Sequence, residues 1–122
     1  MHDSRGTVVA IVDDDEAVRE SLRFLLETAG FRVETFASGK QFLASRGRGP
    51  ACLVVDQNMP QLTGIELLEQ LRARGCTLRV ALMTGSPSPD LSRRARELGA
   101  AMVLEKPLRD DVLLQFVHAT EH

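Results

Sequence analysis

A doubly wound α/β fold, one parallel sheet with helices on both faces, is predicted by three features of this 122-residue sequence. Short apolar runs recur along it. Longer stretches with helical periodicity separate them. The polar residues suited to chemistry fall just after the apolar runs. Four of those runs, Val8 to Val12, Cys52 to Val55, Val80 to Met83 and Ala100 to Leu104, are continuously apolar. Such runs suit strands covered on both faces, as parallel strands are when crossover helices lie on each side.

The elements follow in order. Behind the first strand, Val18, Leu22, Leu25, Leu26 and Ala29 form one apolar helix face, and Gly30 supplies the left-handed residue that ends the helix. Phe31 to Thr35 alternates apolar and polar side chains, so it reads as a second strand partly open to water, at a sheet edge. Ser38 with Gln41, and Thr63 with Glu66, are capping boxes that open the second and third helices, on either side of the third strand. Gly75 stops the third helix. After the fourth strand, Ser88 and Pro89 are a cap and a first-turn proline; Leu91, Ala95 and Leu98 face inward, and Gly99 closes the helix. The fifth strand, Ala100 to Leu104, leads to a last amphipathic helix carrying Leu108, Val112, Leu113, Phe116 and Val117. Five strands and five helices in strict alternation imply right-handed βαβ crossovers. The length suits one domain over residues 1–122, with its core from about residue 7 to 120.

Composition narrows the function. Hydrophobic residues at 43% and charged ones at 26% are ordinary for a globular protein. A net charge of −2 gives no electrostatic drive toward nucleic acid or an anionic membrane. No apolar run approaches the roughly 18 to 20 residues of a membrane span. Met1 to Thr7 lacks the apolar stretch of a signal peptide. Cys52 and Cys76 have no metal-ligand spacing and read as reduced thiols, which points to the cytoplasm. His2, His118 and His122 show no ligand spacing either.

In an open parallel sheet, ligands bind beyond the carboxyl ends of the strands. Asp13, Asp14, Asp15 and Glu16 follow the first strand, Asp56 the third and Thr84 the fourth; Lys106-Pro107 lies just beyond the fifth. An acidic pair after a strand is by itself no more than a helix N-cap, and Asp14 or Asp15 could serve as that. Thr84 alone reads as a turn residue and Lys106 alone as a surface cation. Acid, acid, hydroxyl and lysine at four strand ends form a pattern that these separate readings do not explain. Converging carboxylates raise one another's pKa unless a proton or cation compensates. Mg²⁺, a hard ion with oxygen ligands, does so well, and with a lysine and a hydroxyl it makes a site arranged for phosphoryl transfer.

These residues resemble the receiver domain of bacterial two-component response regulators, from about Thr7 to Thr120. The carriers are Ile11-Val12-Asp13-Asp14-Asp15, Val54-Val55-Asp56-Gln57-Asn58-Met59-Pro60, Thr63-Gly64, Met83-Thr84-Gly85 and Leu104-Glu105-Lys106-Pro107. Each is weak alone; their order and spacing together are specific. The texture resembles the nitrogen-fixation regulator (FixJ) type of this CheY-like superfamily. The resemblance implies the flavodoxin-like strand order 2-1-3-4-5. It also implies a phosphoacceptor at Asp56, charged by a sensor histidine kinase. Asp13 or Asp14, or both, would hold Mg²⁺ with Asp56 and the backbone carbonyl of Asn58. Lys106 would pair with the phosphoryl group and Thr84 would hydrogen-bond it. The Lys106-Pro107 peptide would be cis, and the Asn58 side chain and Ser86 would tune loss of the phosphoryl group to water.

Two departures stand out. The family's aromatic residue three positions before the lysine is here Val103, and the chain has no Tyr or Trp. The loop after Thr84 reads Gly85-Ser86-Pro87-Ser88-Pro89, where two prolines restrict the backbone. Phosphorylation chemistry is therefore expected to survive with altered output coupling. Two rival readings follow: a pseudo-receiver that keeps the fold as an interaction module, and a haloacid-dehalogenase-type phosphatase using Asp13, Asp15 and the late pair Asp110-Asp111. Output in the family runs through the fourth helix, fifth strand and fifth helix, a surface for a homodimer. Here Arg93, Arg94, Arg96, Glu97, Asp110 and Asp111 occupy it and read as a solvated face. No membrane or direct nucleic-acid contact is expected, although a DNA-binding output domain would be natural in the full-length protein.

Overall fold

The computed structural model describes residues 7–45 and 49–120. His2, His122 and the polar stretch before Thr7 lie outside the described residues, as do the outer ends of the single domain expected over 1–122. The elements are β1 (Val8–Val12), α1 (Glu16–Thr28), β2 (Arg32–Phe36), α2 (Gly39–Ala44), β3 (Cys52–Asp56), α3 (Gly64–Ala73), β4 (Arg79–Thr84), α4 (Pro89–Glu97), β5 (Met102–Glu105) and α5 (Asp110–Ala119). All neighbouring strands pair in parallel, in the order β2-β1-β3-β4-β5. The half-polar β2 is at an edge, as its alternation predicts.

Pleating divides the apolar runs between two cores. Val9, Ile11, Cys52, Val54, Ala81, Met83 and Leu104 face α1 and α5, where they meet Leu22, Leu26, Leu113, Phe116 and Val117. Ala10, Val12, Leu53, Val55, Val80 and Leu82 face the other way, onto Phe42, Leu67, Leu68, Leu71 and Ala95 of α2, α3 and α4. Both faces are covered, so continuous apolar sequence was needed. Cys52 lies in the first core, where burial pushes its thiol above the ordinary range; Cys76 is free and half-buried beside the second.

Three glycines end helices as expected. Gly30, Gly75 and Gly99 have positive φ, and the residue after each donates back to the helix: Phe31 to Leu26, Cys76 to Leu71 and Ala100 to Ala95. That last bond corrects the fifth strand. Ala100 closes α4 and Ala101 donates to Val80, so the strand begins at Met102, not Ala100. The second strand likewise runs one residue later than Phe31 to Thr35. Leu108 precedes α5 but packs with the same core cluster as Leu113, a hydrophobic-staple arrangement. Thr63 and Glu66 form the full capping box. At Ser38 the reach-back differs: Gln41 Oε1 accepts from the Ala37 N–H rather than that of Ser38.

Candidate functional site

The carboxyl end of the sheet holds the buried polar residues. Asp13, Asp56 and Thr84 are 0, 4 and 1% exposed, and no other charged or polar side chain among the described residues is buried. The acidic run after β1 divides its work. Asp15 is the N-cap of α1, accepting from the Ala17 and Val18 N–H groups. Asp14 is exposed, and its carboxylate can meet those of Asp13 and Asp56 with oxygens within 4.8 Å of one another. Asp13 is held from several sides. Its Oδ1 accepts from the Asp15 N–H at 2.9 Å, its Oδ2 accepts from Lys106 Nζ at 3.2 Å, and its carbonyl accepts from Arg19 at 2.8 Å.

Lys106 also lies 3.3 Å from Asp56 Oδ1 as an ion pair, without the alignment of a hydrogen bond. That oxygen is the one buried side-chain polar atom among the described residues with no hydrogen-bond partner. Burial, with the Asp56 charge adding to it, raises the Asp13 pKa despite the Asp15 N–H and Lys106. Burial would lower the pKa of Lys106, but its hydrogen bond to Asp13 and the charges of Asp13 and Asp56 hold it above the ordinary lysine value. Lys106 stays protonated at neutral pH.

Three carboxylates against one lysine leave two negative charges uncompensated. Together with the orphaned Asp56 oxygen, this all-oxygen donor set fits a hard divalent cation. It is the only group of three or more such ligands among the described residues. Asp110 and Asp111 are exposed at the start of α5, with Asp111 paired to Arg109, so the geometry gives the phosphatase reading no late acidic ligand.

Thr84 ends β4, and its hydroxyl is committed: it donates to Asn58 Oδ1 at 3.4 Å and accepts from the Ser86 N–H at 3.0 Å. The Lys106-Pro107 peptide is cis. The Lys106 N–H donates to the Thr84 carbonyl, which registers the β5 end against β4. Val103 is half-buried against the α2–α4 core, on the face opposite Leu104. Two of the three arginines of α4 are paired within the chain: Arg93 with Asp90, and Arg94 with both Glu97 and Glu69 of α3. Sequence reasoning missed Arg19 and the side chain of Gln57. Gln57 caps α3 by accepting from the Ile65 N–H at 2.8 Å. Arg19 lies outside the motifs, and Gln57, although within the Asp56 motif, carried no assigned role, so only the folded geometry reveals what their side chains do.

Residues 9–118 match the response regulator receiver domain family. The transcriptional regulatory protein FixJ of Azorhizobium caulinodans is 44% identical over 113 residues, covering 92% of this chain and 54% of that protein. The C4-dicarboxylate transport transcriptional regulatory protein DctD of Pseudomonas aeruginosa is 38% identical over 112 residues, 91% of this chain and 24% of that protein. The chain thus spans about half the length of the FixJ relatives it matches. Among solved structures, FixJ-N superposes with a TM-score of 0.83 at 35% identity, covering 100% of this chain and 97% of that one. The response regulator StyR gives 0.85 at 40% identity, covering 94% and 59%. Fold, site composition and relatives agree: the chain belongs to the response-regulator receiver domains of two-component signalling, of the FixJ type.

Proposed function

We propose that Asp56 accepts a phosphoryl group from a phosphohistidine of a partner sensor histidine kinase, and that this switches a protein-interaction surface. The observation that carries the reading is the meeting of Asp13, Asp14 and Asp56 with Lys106 at one end of the sheet. An Asp56 oxygen attacks phosphorus, the P–N bond breaks, and its electron pair stays on the imidazole, leaving an acyl phosphate. Asp13, Asp14, Asp56 and the backbone carbonyl of Asn58 would hold Mg²⁺, which when bound offsets the charge on the carboxylates and the moving group. Lys106 supplies the fixed positive charge. The Thr84 hydroxyl turns from Asn58 and Ser86 to a phosphoryl oxygen. Ser86 and the Asn58 side chain then flank the path of water to the acyl phosphate. The domain is a signalling device whose own chemistry is limited to gaining and losing the phosphoryl group.

A kinase histidine must reach Asp56. An apolar groove from Phe24 and Leu25 of α1 to Pro107 and Leu108 ends at Lys106 and offers contact beside the site. Phe24, 74% exposed, is the one large hydrophobic so exposed among the described residues. No described helix is long and apolar enough to cross a membrane, in keeping with work in the cytoplasm. A homodimer through α4, β5 and α5, and a DNA-binding output domain in the full-length protein, are the matching downstream partners. The pseudo-receiver reading draws on Val103 alone.

The test is intact mass after incubation with a small-molecule phosphodonor, with and without Mg²⁺, beside Asp56→Asn. One Mg²⁺-dependent phosphoryl group on the wild type, absent from the variant, is expected. No adduct under any condition would overturn the reading in favour of the pseudo-receiver.

A further inference from the structure

Gln57 follows Asp56 directly, and its polar groups tie three segments together. Its N–H donates to the Met83 carbonyl of β4 at 2.8 Å. Its carbonyl accepts from the Met59 N–H at 3.1 Å and the Gly64 N–H at 3.3 Å. Its side-chain Oε1 accepts from the Ile65 N–H at 2.8 Å.

The first N–H groups of a helix have no partner within the helix. In α3, Thr63 satisfies Glu66, while Gln57 satisfies both Gly64 and Ile65. The contact is close. A Cβ on Gly64 would stand 2.9 Å from the Asp56 carbonyl oxygen and 3.1 Å from Gln57 Cα. The first turn of α3 therefore rests directly on the Asp56–Gln57 peptide. Between them, Asn58, Pro60 and Gln61 are exposed while Met59 is buried in the second core, so the loop is fixed by Met59 and by the bonds at its ends.

We propose that Gln57 is a positioning residue for phosphoryl transfer: its side chain locks α3 to the peptide that carries Asp56 and Asn58. The proposal rests on Asp56 being the phosphoacceptor. In-line transfer tolerates little misplacement of the attacking oxygen. Releasing the Ile65 bond frees one anchor of the segment that presents both Asp56 and the Asn58 carbonyl.

Three variants test this, read by the rate of phosphorylation from acetyl phosphate at saturating Mg²⁺ and by thermal midpoint. Gln57→Met keeps the length of the side chain and removes the acceptor. Gln57→Glu keeps an acceptor. Thr63→Ala removes a bond from the same helix end that does not touch the Asp56 peptide. Gln57→Met is expected to slow phosphorylation roughly tenfold, with Gln57→Glu restoring it to within about twofold of wild type. Thr63→Ala should lower the midpoint at least as far while leaving the rate near wild type. A wild-type rate in Gln57→Met, or a loss no greater than that of Thr63→Ala, would overturn the proposal. A wild type that takes up no phosphoryl group would instead overturn the assignment of Asp56, and the proposal with it.

Discussion

The two ends of the sheet handle buried polarity in opposite ways. At the amino ends of the strands, two arginines, Arg72 and Arg79, are fully engaged. The Arg72 guanidinium of α3 donates to the carbonyls of Cys76, Leu78, Leu98 and Gly99, joining the C-termini of α3 and α4. Arg79 caps the end of α5 at Phe116 and Thr120, and its guanidinium lies 4.4 Å from the Phe116 ring centroid. At the carboxyl ends, two buried acids share one lysine and an Asp56 oxygen accepts no hydrogen bond. One end is built for stability. The other carries carboxylate charge that a hard cation would offset.

The largest effect that would test this contrast is at Lys106. Lys106→Met should cost phosphorylation from a small donor about 10²- to 10³-fold, the range for removing one preorganised charge at a reacting centre. A stopped assay read by intact mass measures it. A rate close to wild type would mean that Lys106 serves only to hold Asp13.

At the opposite end, Arg72→Ala should cost about 2 kcal/mol of stability, since hydrogen bonds from a charged donor are lost and four carbonyls must find water. Urea denaturation measures it. Phosphorylation at temperatures where the variant is folded should stay at the wild-type rate. Loss of phosphorylation with little loss of stability would break the division of labour between the two ends.

A smaller effect, with a distinctive sign, is expected at Asp13. Its folded pKa is raised by burial and then by the Asp56 charge. The folded state therefore binds the proton more tightly than the unfolded chain. Stability falls as pH rises from the unfolded value of 3.8 through the folded pKa, and the penalty persists above it. Asp13→Asn removes the penalty, so in EDTA at neutral pH the variant should melt slightly higher than wild type. Mg²⁺ should raise the midpoint of the wild type and move the variant less. An Asp13→Asn that melts lower without Mg²⁺ would show that its bonds to Asp15 and Lys106 outweigh the repulsion.

Much of this was legible in the sequence because the determinants are local. Glycines after apolar helical faces, capping residues and unbroken apolar strands each act within a few residues, and the five-fold alternation follows from them. The site was legible as a set of strand ends, since parallel strands must bring those ends together. What escaped has a long reach or a shared register. The start of β5 depended on Ala100 closing α4 by a bond to Ala95. Neither propensity nor apolar character marks the choice between closing a helix and starting a strand. The acidic run could not be divided between cap and site until the helix axis fixed Asp15 as the cap. Arg19 and Gln57 act through backbone groups of other segments, which have no residue type to recognise.

The smallest expected effect concerns the loop that joins the two cores at the site. Under the proposed function the Thr84 hydroxyl would turn to a phosphoryl oxygen, and the Ser86 N–H would then lose its acceptor. That bond, worth about 1 kcal/mol, predicts roughly fivefold faster hydrogen exchange at Ser86 when beryllofluoride occupies the site. Pro87 and Pro89 stiffen the rest of the loop, and Ser88 is fixed as the α4 cap by its bond to the Leu91 N–H. Val103, β-branched and already packed beside the second core, has one strongly preferred rotamer and too little volume for the swing an aromatic side chain makes. The change should therefore be confined to the Thr84–Ser86 step. Exchange at the Leu91 amide and across β5 should stay the same with and without beryllofluoride. Faster exchange spreading through α4 to Val103 would show that the large rearrangement survives without the aromatic, and that the loop prolines do not restrain it.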